Sequence, residues 1–162
     1  MSTKSINIKN YNQSLKNIDI FRNKNYGNID VRINNLHLTD LNKLLGKNVF
    51  KQNDAYISAE TLWEIMQPLG NKRQHNSHGL TPETILRGFK DMTHPFCILK
   101  SYFNRYITIS SFELNAARIL IVIEINAPLR KNHKAKINKI VTIYPSDSVQ
   151  SYLRNKKILY LK

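Results

Sequence analysis

Cysteine is nearly missing from this chain. Cys97 is the single one among 162 residues, which excludes an intramolecular disulfide framework and a cysteine-rich zinc site. Glycine is scarce too, and its five residues are isolated. Neither a Walker-type phosphate loop nor a dinucleotide-binding fingerprint can be written on such a chain. No apolar run approaches the roughly 20 residues that span a bilayer. The longest, Ile119 to Ile125, is interrupted by Glu124. Residues 1–12 lack the apolar centre of a secretory signal. The expectation is a protein of the host or target-cell cytoplasm with no membrane partner. There is no HExxH and no carboxylate cluster beside the histidines, so no metal and no cofactor is expected.

Acidic residues are the other shortage: 11 Asp and Glu stand against 25 Lys and Arg, for a net charge of +14. The imbalance is concentrated. Residues 126–162 carry nine basic side chains and one acidic, Asp147. A field of that sign favours a polyanionic partner. With 41% apolar residues, the chain can still build a core.

What is present changes character near residue 95. Residues 1–28 are Asn- and Lys-rich and poorly periodic, and are expected to form a polar N-terminal arm. A single α+β domain is expected over 29–162. Residues 29–33 alternate as a short strand. Thr39 and Ser58 can cap short helices over 40–45 and 59–67. Thr81-Pro82-Glu83 is a strong helix start, with a good cap, proline at the first helical position and a carboxylate at the positive end of the dipole. Ile85, Leu86, Phe89 and Met92 give that helix an apolar stripe, and His94-Pro95 ends it. Beyond it the period becomes two, and five strands are predicted, over 96–102, 105–112, 118–126, 136–144 and 157–161. Residues 128–135 are expected to form a long basic loop, and Ser146 to cap a short helix through Leu153. The predicted fold class is α+β, with N-terminal helices packed on one face of a four- to five-stranded antiparallel sheet.

The third of those strands sets the expected faces. Ile119, Ile121, Ile123 and Ile125 should point to the core, joined by Ile107 and Ile109, Val141 and Ile143, and Leu159 and Leu161. The opposite face would then carry Tyr106, Thr108, Ser110, Glu124, Asn126, Thr142, Tyr144 and Tyr160. Three of the five histidines, His75, His78 and His94, cluster between residues 74 and 95. His78, just before the helix start, is the leading candidate for acid–base chemistry, since histidine titrates near neutrality. Its ordinary alternative is a loop histidine near a helix start. Thr142, Tyr144 and Glu124 are its candidate catalytic partners. His75, Arg87, Ser110, Arg130, Lys131, Lys134, Lys136, Lys139 and Tyr160 are candidate substrate contacts, with phosphates meeting the cations and bases stacking on tyrosine. Cys97 reads as a buried strand residue.

One run of motifs resembles a known group. These are His78-Gly79-Leu80-Thr81-Pro82-Glu83, then His94-Pro95-Phe96-Cys97-Ile98-Leu99-Lys100-Ser101, Ile121-Val122-Ile123-Glu124-Ile125, Asn138-Lys139-Ile140-Val141-Thr142-Ile143-Tyr144 and Ile158-Leu159-Tyr160. The order is similar to phage-type members of the barnase, EndoU, colicin and RelE-like nucleases, among them the C-terminal domains of phage MuF-type head proteins and polymorphic toxins. It covers about residues 74–162. The resemblance implies helices on an antiparallel sheet and metal-independent RNase activity. It carries over the histidine at the helix start and the Thr-x-Tyr of the late strand. Pro145-Ser146 departs from the small or charged pair that often follows that tyrosine.

The expected function is therefore a metal-independent endoribonuclease cleaving RNA by attack of the 2′-OH, as a phage or toxin-system effector. Its partners would be RNA (tRNA or mRNA) and a cognate inhibitor or an acidic host protein. The alternative is a non-catalytic phage module on the same fold, binding nucleic acid or a host protein, for example to block a defence.

Overall fold

The computed structural model describes residues 5–69 and 77–162. Eight strands make one mixed sheet: β1 Ser5–Asn7, β2 Asp30–Asn34, β3 Ala55–Ser58, β4 Cys97–Lys100, β5 Arg105–Leu114, β6 Ala117–Leu129, β7 Asn132–Ser146 and β8 Lys157–Leu161. Their order is β1-β2-β3-β7-β6-β5-β4-β8. Five helices accompany them: α1 Tyr11–Asn23, α2 Leu41–Leu45, α3 Ala59–Met66, α4 Pro82–Asp91 and α5 Val149–Asn155.

This corrects the expected four- to five-stranded antiparallel sheet. The sheet has eight strands and is mixed, because β1 pairs parallel with β2 and β3 pairs parallel with β7. The physical cause is the edge of β7. Its Asn138–Ile140 stretch would be an unpaired row of backbone groups, and β3 pairs with it through Ala55, Tyr56 and Ile57. The first 70 residues thus supply three strands as well as helices.

Nor are residues 5–28 an arm. The Asn10 side chain accepts from the Gln13 amide and caps α1, whose Ile18 and Phe21 are fully buried. Their three-residue spacing is helical, hidden between asparagines and lysines that occupy the exposed side. The expected long loop over 128–135 is also absent. β6 and β7 run on to Leu129 and Asn132, leaving a tight turn at Arg130-Lys131.

Two apolar clusters lie on opposite sides of the sheet. The larger packs residues of α1, α2, α3 and α4 against Ile98, Tyr106, Ile119, Ile121, Ile123, Ile140 and Ile143. The smaller gathers Cys97, Leu99, Ile107, Ile109, Leu120 and Val122 under Val149, Tyr152 and Leu153 of α5. The expected faces are therefore wrong for β5 and for part of β7 and β8, where Ile143 and Leu159 do pack on the larger core as expected. Ile107 pairs with Val122 and Tyr106 with Ile123, so in β5 the tyrosine faces the larger core. In β7 a bulge sets Ile140 opposite Ile123 and Thr142 opposite Val122. That extra residue puts Val141 against the smaller cluster while Ile143 stays in the larger. In β8, Tyr160 pairs with Ile98 and packs on the larger core, while Leu161 is 48% exposed.

The face under α5 is built in rows that cross the strands. Cys97, Ile109, Leu120 and Tyr144 form one row, and Leu99, Ile107, Val122 and Thr142 the next. The third row is polar: Arg105, Glu124, Lys139, Tyr56, Arg32 and Ser5. β6 and β7 extend past this row, bent by register shifts at Glu124/Ala127 and Pro128/Leu129 and by Asn126 at φ 56°.

Candidate active site

The sequence places His78 where the chain returns from α3 to start α4. Gly79 takes φ +61° and its amide donates to the Gln67 carbonyl at 2.7 Å, while the Leu80 amide donates to the Ile65 carbonyl at 3.0 Å. Glycine is favoured at that left-handed position because it has no Cβ. Two residues on, the Thr81 hydroxyl accepts from the Thr84 amide at 3.2 Å and fixes the start of α4. His78 is thus anchored on its C-terminal side by ordinary backbone devices.

The held ring lies against Tyr144, with centroids 5.9 Å apart and planes at 37°. It reaches that strand because β3 pairs with β7 only as far as Ile140, so residues 142–146 of β7 have no strand on that side among the described residues. Burial lowers the His78 pKa below its ordinary value, since a partly desolvated imidazole resists protonation. Its ring nitrogens make no hydrogen bond among the described residues. Tyr144 shares a 2.8 Å hydrogen bond with the hydroxyl of Tyr152 from α5, and the two rings are 6.2 Å apart. Burial first, and Tyr152 second, hold the Tyr144 phenol protonated far above neutral pH. Thr142, two residues earlier on the same face, has a buried Oγ1 with no hydrogen-bond partner among the described residues. The cluster therefore offers a neutral imidazole, two linked phenols and an unsatisfied hydroxyl.

The other predicted residues are dispersed. Glu124 sits in the third row, its carboxylate accepting from Arg105 Nε at 3.2 Å. Lys139 is beside it on β7. Arg130 and Lys131 are at the hairpin turn, Lys134 is exposed just beyond, and Lys136 pairs with Pro128. Arg87 stacks over Phe112 at 4.1 Å, on the α4 side of the sheet. Ser110 is buried, its hydroxyl donating to the Phe112 carbonyl and accepting from the Ile119 amide. Tyr160 packs on the larger core. With Ser110 and Tyr160 on that side, the single hydroxyl-bearing face expected from the sequence does not exist. His75 lies outside the described residues. The Cys97 thiol is pushed up to about 11 by burial, which leaves it unreactive at neutral pH.

Tyr152 is the member that sequence reasoning missed. Its signal was present: Val149, Tyr152 and Leu153 have the i, i+3, i+4 spacing of a helix face that seeks a sheet. Among the described residues, no three His, Cys, Asp or Glu side chains gather as a metal would require. No helix there is long and apolar enough to cross a membrane.

No curated protein and no solved structure matches the chain. A family model does: residues 70–162, which contain His78, Thr142, Tyr144 and Tyr152, match the phage MuF-C-terminal domain, and the chain belongs to that family.

Proposed function

We propose that this protein is a metal-independent endoribonuclease of a phage or toxin-system effector, with His78 as its base. The observation that carries this reading is the His78 ring held against Tyr144 beside the partnerless Thr142 hydroxyl. A histidine whose pKa is lowered by burial is neutral at pH 7 and able to accept a proton. In the proposed reaction, His78 takes the proton of a ribose 2′-OH and O2′ bonds to the adjacent phosphorus. The P–O5′ bond breaks and O5′ leaves with a proton from water. The products are a 2′,3′-cyclic phosphate and a 5′-OH end. As charge builds on the phosphoryl oxygens, the Tyr144–Tyr152 hydroxyl pair would donate to one of them, and Thr142, whose Oγ1 is buried in the free protein, would donate to another after its side chain turns outward. Lys139, on the same face and three residues away along β7, supplies positive charge for the strand's backbone.

The test is cleavage of a mixed RNA substrate in EDTA, with the ends analysed for cyclic phosphate. Wild-type protein should cut, and His78→Ala should lose about 100-fold or more in rate with an unchanged melting temperature. Full activity in that variant removes His78 from the reaction. RNA retained but uncut by wild-type protein would support the non-catalytic binding module.

A further inference from the structure

Far from His78 along the sheet, the bent end of the β6–β7 hairpin closes over the open face of β1–β3. Asp30, on β2, is 8% exposed and accepts from the Arg130 backbone amide at 3.1 Å, with the Arg130 side chain 4.0 Å from its other oxygen. That clamp leaves a two-lobed cleft. One lobe, about 400 Å³, is bounded by Asp30, Arg32, Tyr56, Leu129, Arg130 and Lys131. The other, about 410 Å³, shares Arg32, Tyr56 and Leu129 with it and adds Asp54 and Lys136. Each lobe has the size of a small-molecule site.

The wall chemistry narrows the ligand. Arg32 gives its Nε and Nη2 to one oxygen of Asp54, at 3.0 and 2.7 Å. Asp54 is itself fixed, because its other oxygen accepts from the Asn35 amide at 3.2 Å. The guanidinium is thus oriented in advance, and its Nη1 makes no hydrogen bond among the described residues. A fixed guanidinium with a free edge suits a phosphoryl oxygen. Arg130, Lys131 and Lys136 add cations at the rim. The Tyr56 ring and Leu129 form an apolar surface between the lobes, suited to a flat heterocycle. A bare anion would leave that surface unused, and an uncharged ring would leave the cations unused.

We infer that this cleft binds a nucleoside phosphate, as a free nucleotide or as one unit of a strand, with the phosphate on Arg32 and the base against Tyr56. None of its walls belongs to the His78 cluster, and binding here needs no cleavage.

The test is titration of isotope-labelled full-length protein with uridine 5′-monophosphate, followed by amide NMR and calorimetry. The expected result is shifts at Arg32, Tyr56 and Arg130, with uridine and inorganic phosphate each binding at least tenfold more weakly. Arg32→Gln and Arg130→Gln should each weaken the nucleotide about tenfold. A 2′-O-methyl tetrauridylate, which the proposed nuclease could not cut, separates the sources. At least tenfold tighter binding than the mononucleotide marks a strand site, and equal binding a free-nucleotide site. The inference is overturned if the nucleotide shifts no cleft amide in wild-type protein, or if inorganic phosphate binds as tightly as the nucleotide. Wild-type affinity in both folded arginine variants overturns it as well.

Discussion

Thr142 can serve the fold or the chemistry, and one substitution separates the two. Its buried Oγ1 finds no partner among the described residues, and an unpaired buried hydroxyl costs on the order of 1–3 kcal/mol. Thr142→Val replaces it with a methyl of nearly the same shape. The expected outcome in denaturant unfolding is a gain of about 1 kcal/mol. In the cleavage assay the same variant should be at least tenfold slower. A stabilised variant that cuts normally would place Thr142 outside the reaction. His78 makes a second prediction through pH. Its pKa is lowered by burial, so the fraction of neutral, base-competent imidazole is lost only at pH values below the ordinary 6.5. The acid limb of the cleavage rate should therefore have its midpoint below pH 6.5. A midpoint above that value would mean a different group titrates.

At the scale of elements, α4 is the part most plainly written in the sequence, because cap, proline and apolar stripe agree. It also carries a glycine that no turn requires. Gly88 lies mid-helix, and a Cβ there would meet Ile119 and Ile121 at 3.6 Å, ordinary van der Waals contact. Gly88→Ala should therefore stabilise the protein by about 0.5–1 kcal/mol, measured as a raised urea midpoint with unchanged m-value. A loss of stability would show that α4 packs on Ile119 and Ile121 too closely for a methyl group.

The strands were less legible. Tyr106-Ile107-Thr108-Ile109 alternates, but both faces of β5 are buried. Polarity then no longer tells which set faces which core, and Tyr106 rather than Ile107 faces the larger one. The β7 bulge at Val141 was invisible for a related reason. Val141, Thr142 and Ile143 are all good strand formers, and only the pairing with β6 shows where the extra residue sits. β3 was missed because four residues running directly into a helix cap offer little alternation. The His78–Tyr144 proximity rested on how α4 docks, which no local pattern states. The Arg32–Asp54 pair joins residues 22 apart in sequence across a strand pairing, and a single chain read in order carries no mark of it.

For the whole molecule, the family boundary near residue 70 and the physical boundary disagree. The family match begins at residue 70, but the sheet is continuous across it through β3 and β7. The N-terminal part also contributes α1 and α3 to the larger core. A fragment of residues 70–162 should therefore expose the β7 edge and half of that core. We expect it to be aggregated or to lack a cooperative melting transition, and restored by co-expression with residues 1–69. A monomeric fragment that melts cooperatively would show that the family segment folds alone.

That same β3–β7 pairing has a consequence for the order of synthesis. Ala55 must wait for Asn138, the residue it pairs with. At 5–20 residues per second on a ribosome, that delay is on the order of 4–17 s. Throughout it, the β2–β3 pair can form but one side of β3 stays bare, and the cleft above it lacks its lid. A nascent chain of this protein therefore has an interval in which another strand could take the place of β7, and in which neither of its two proposed sites yet exists.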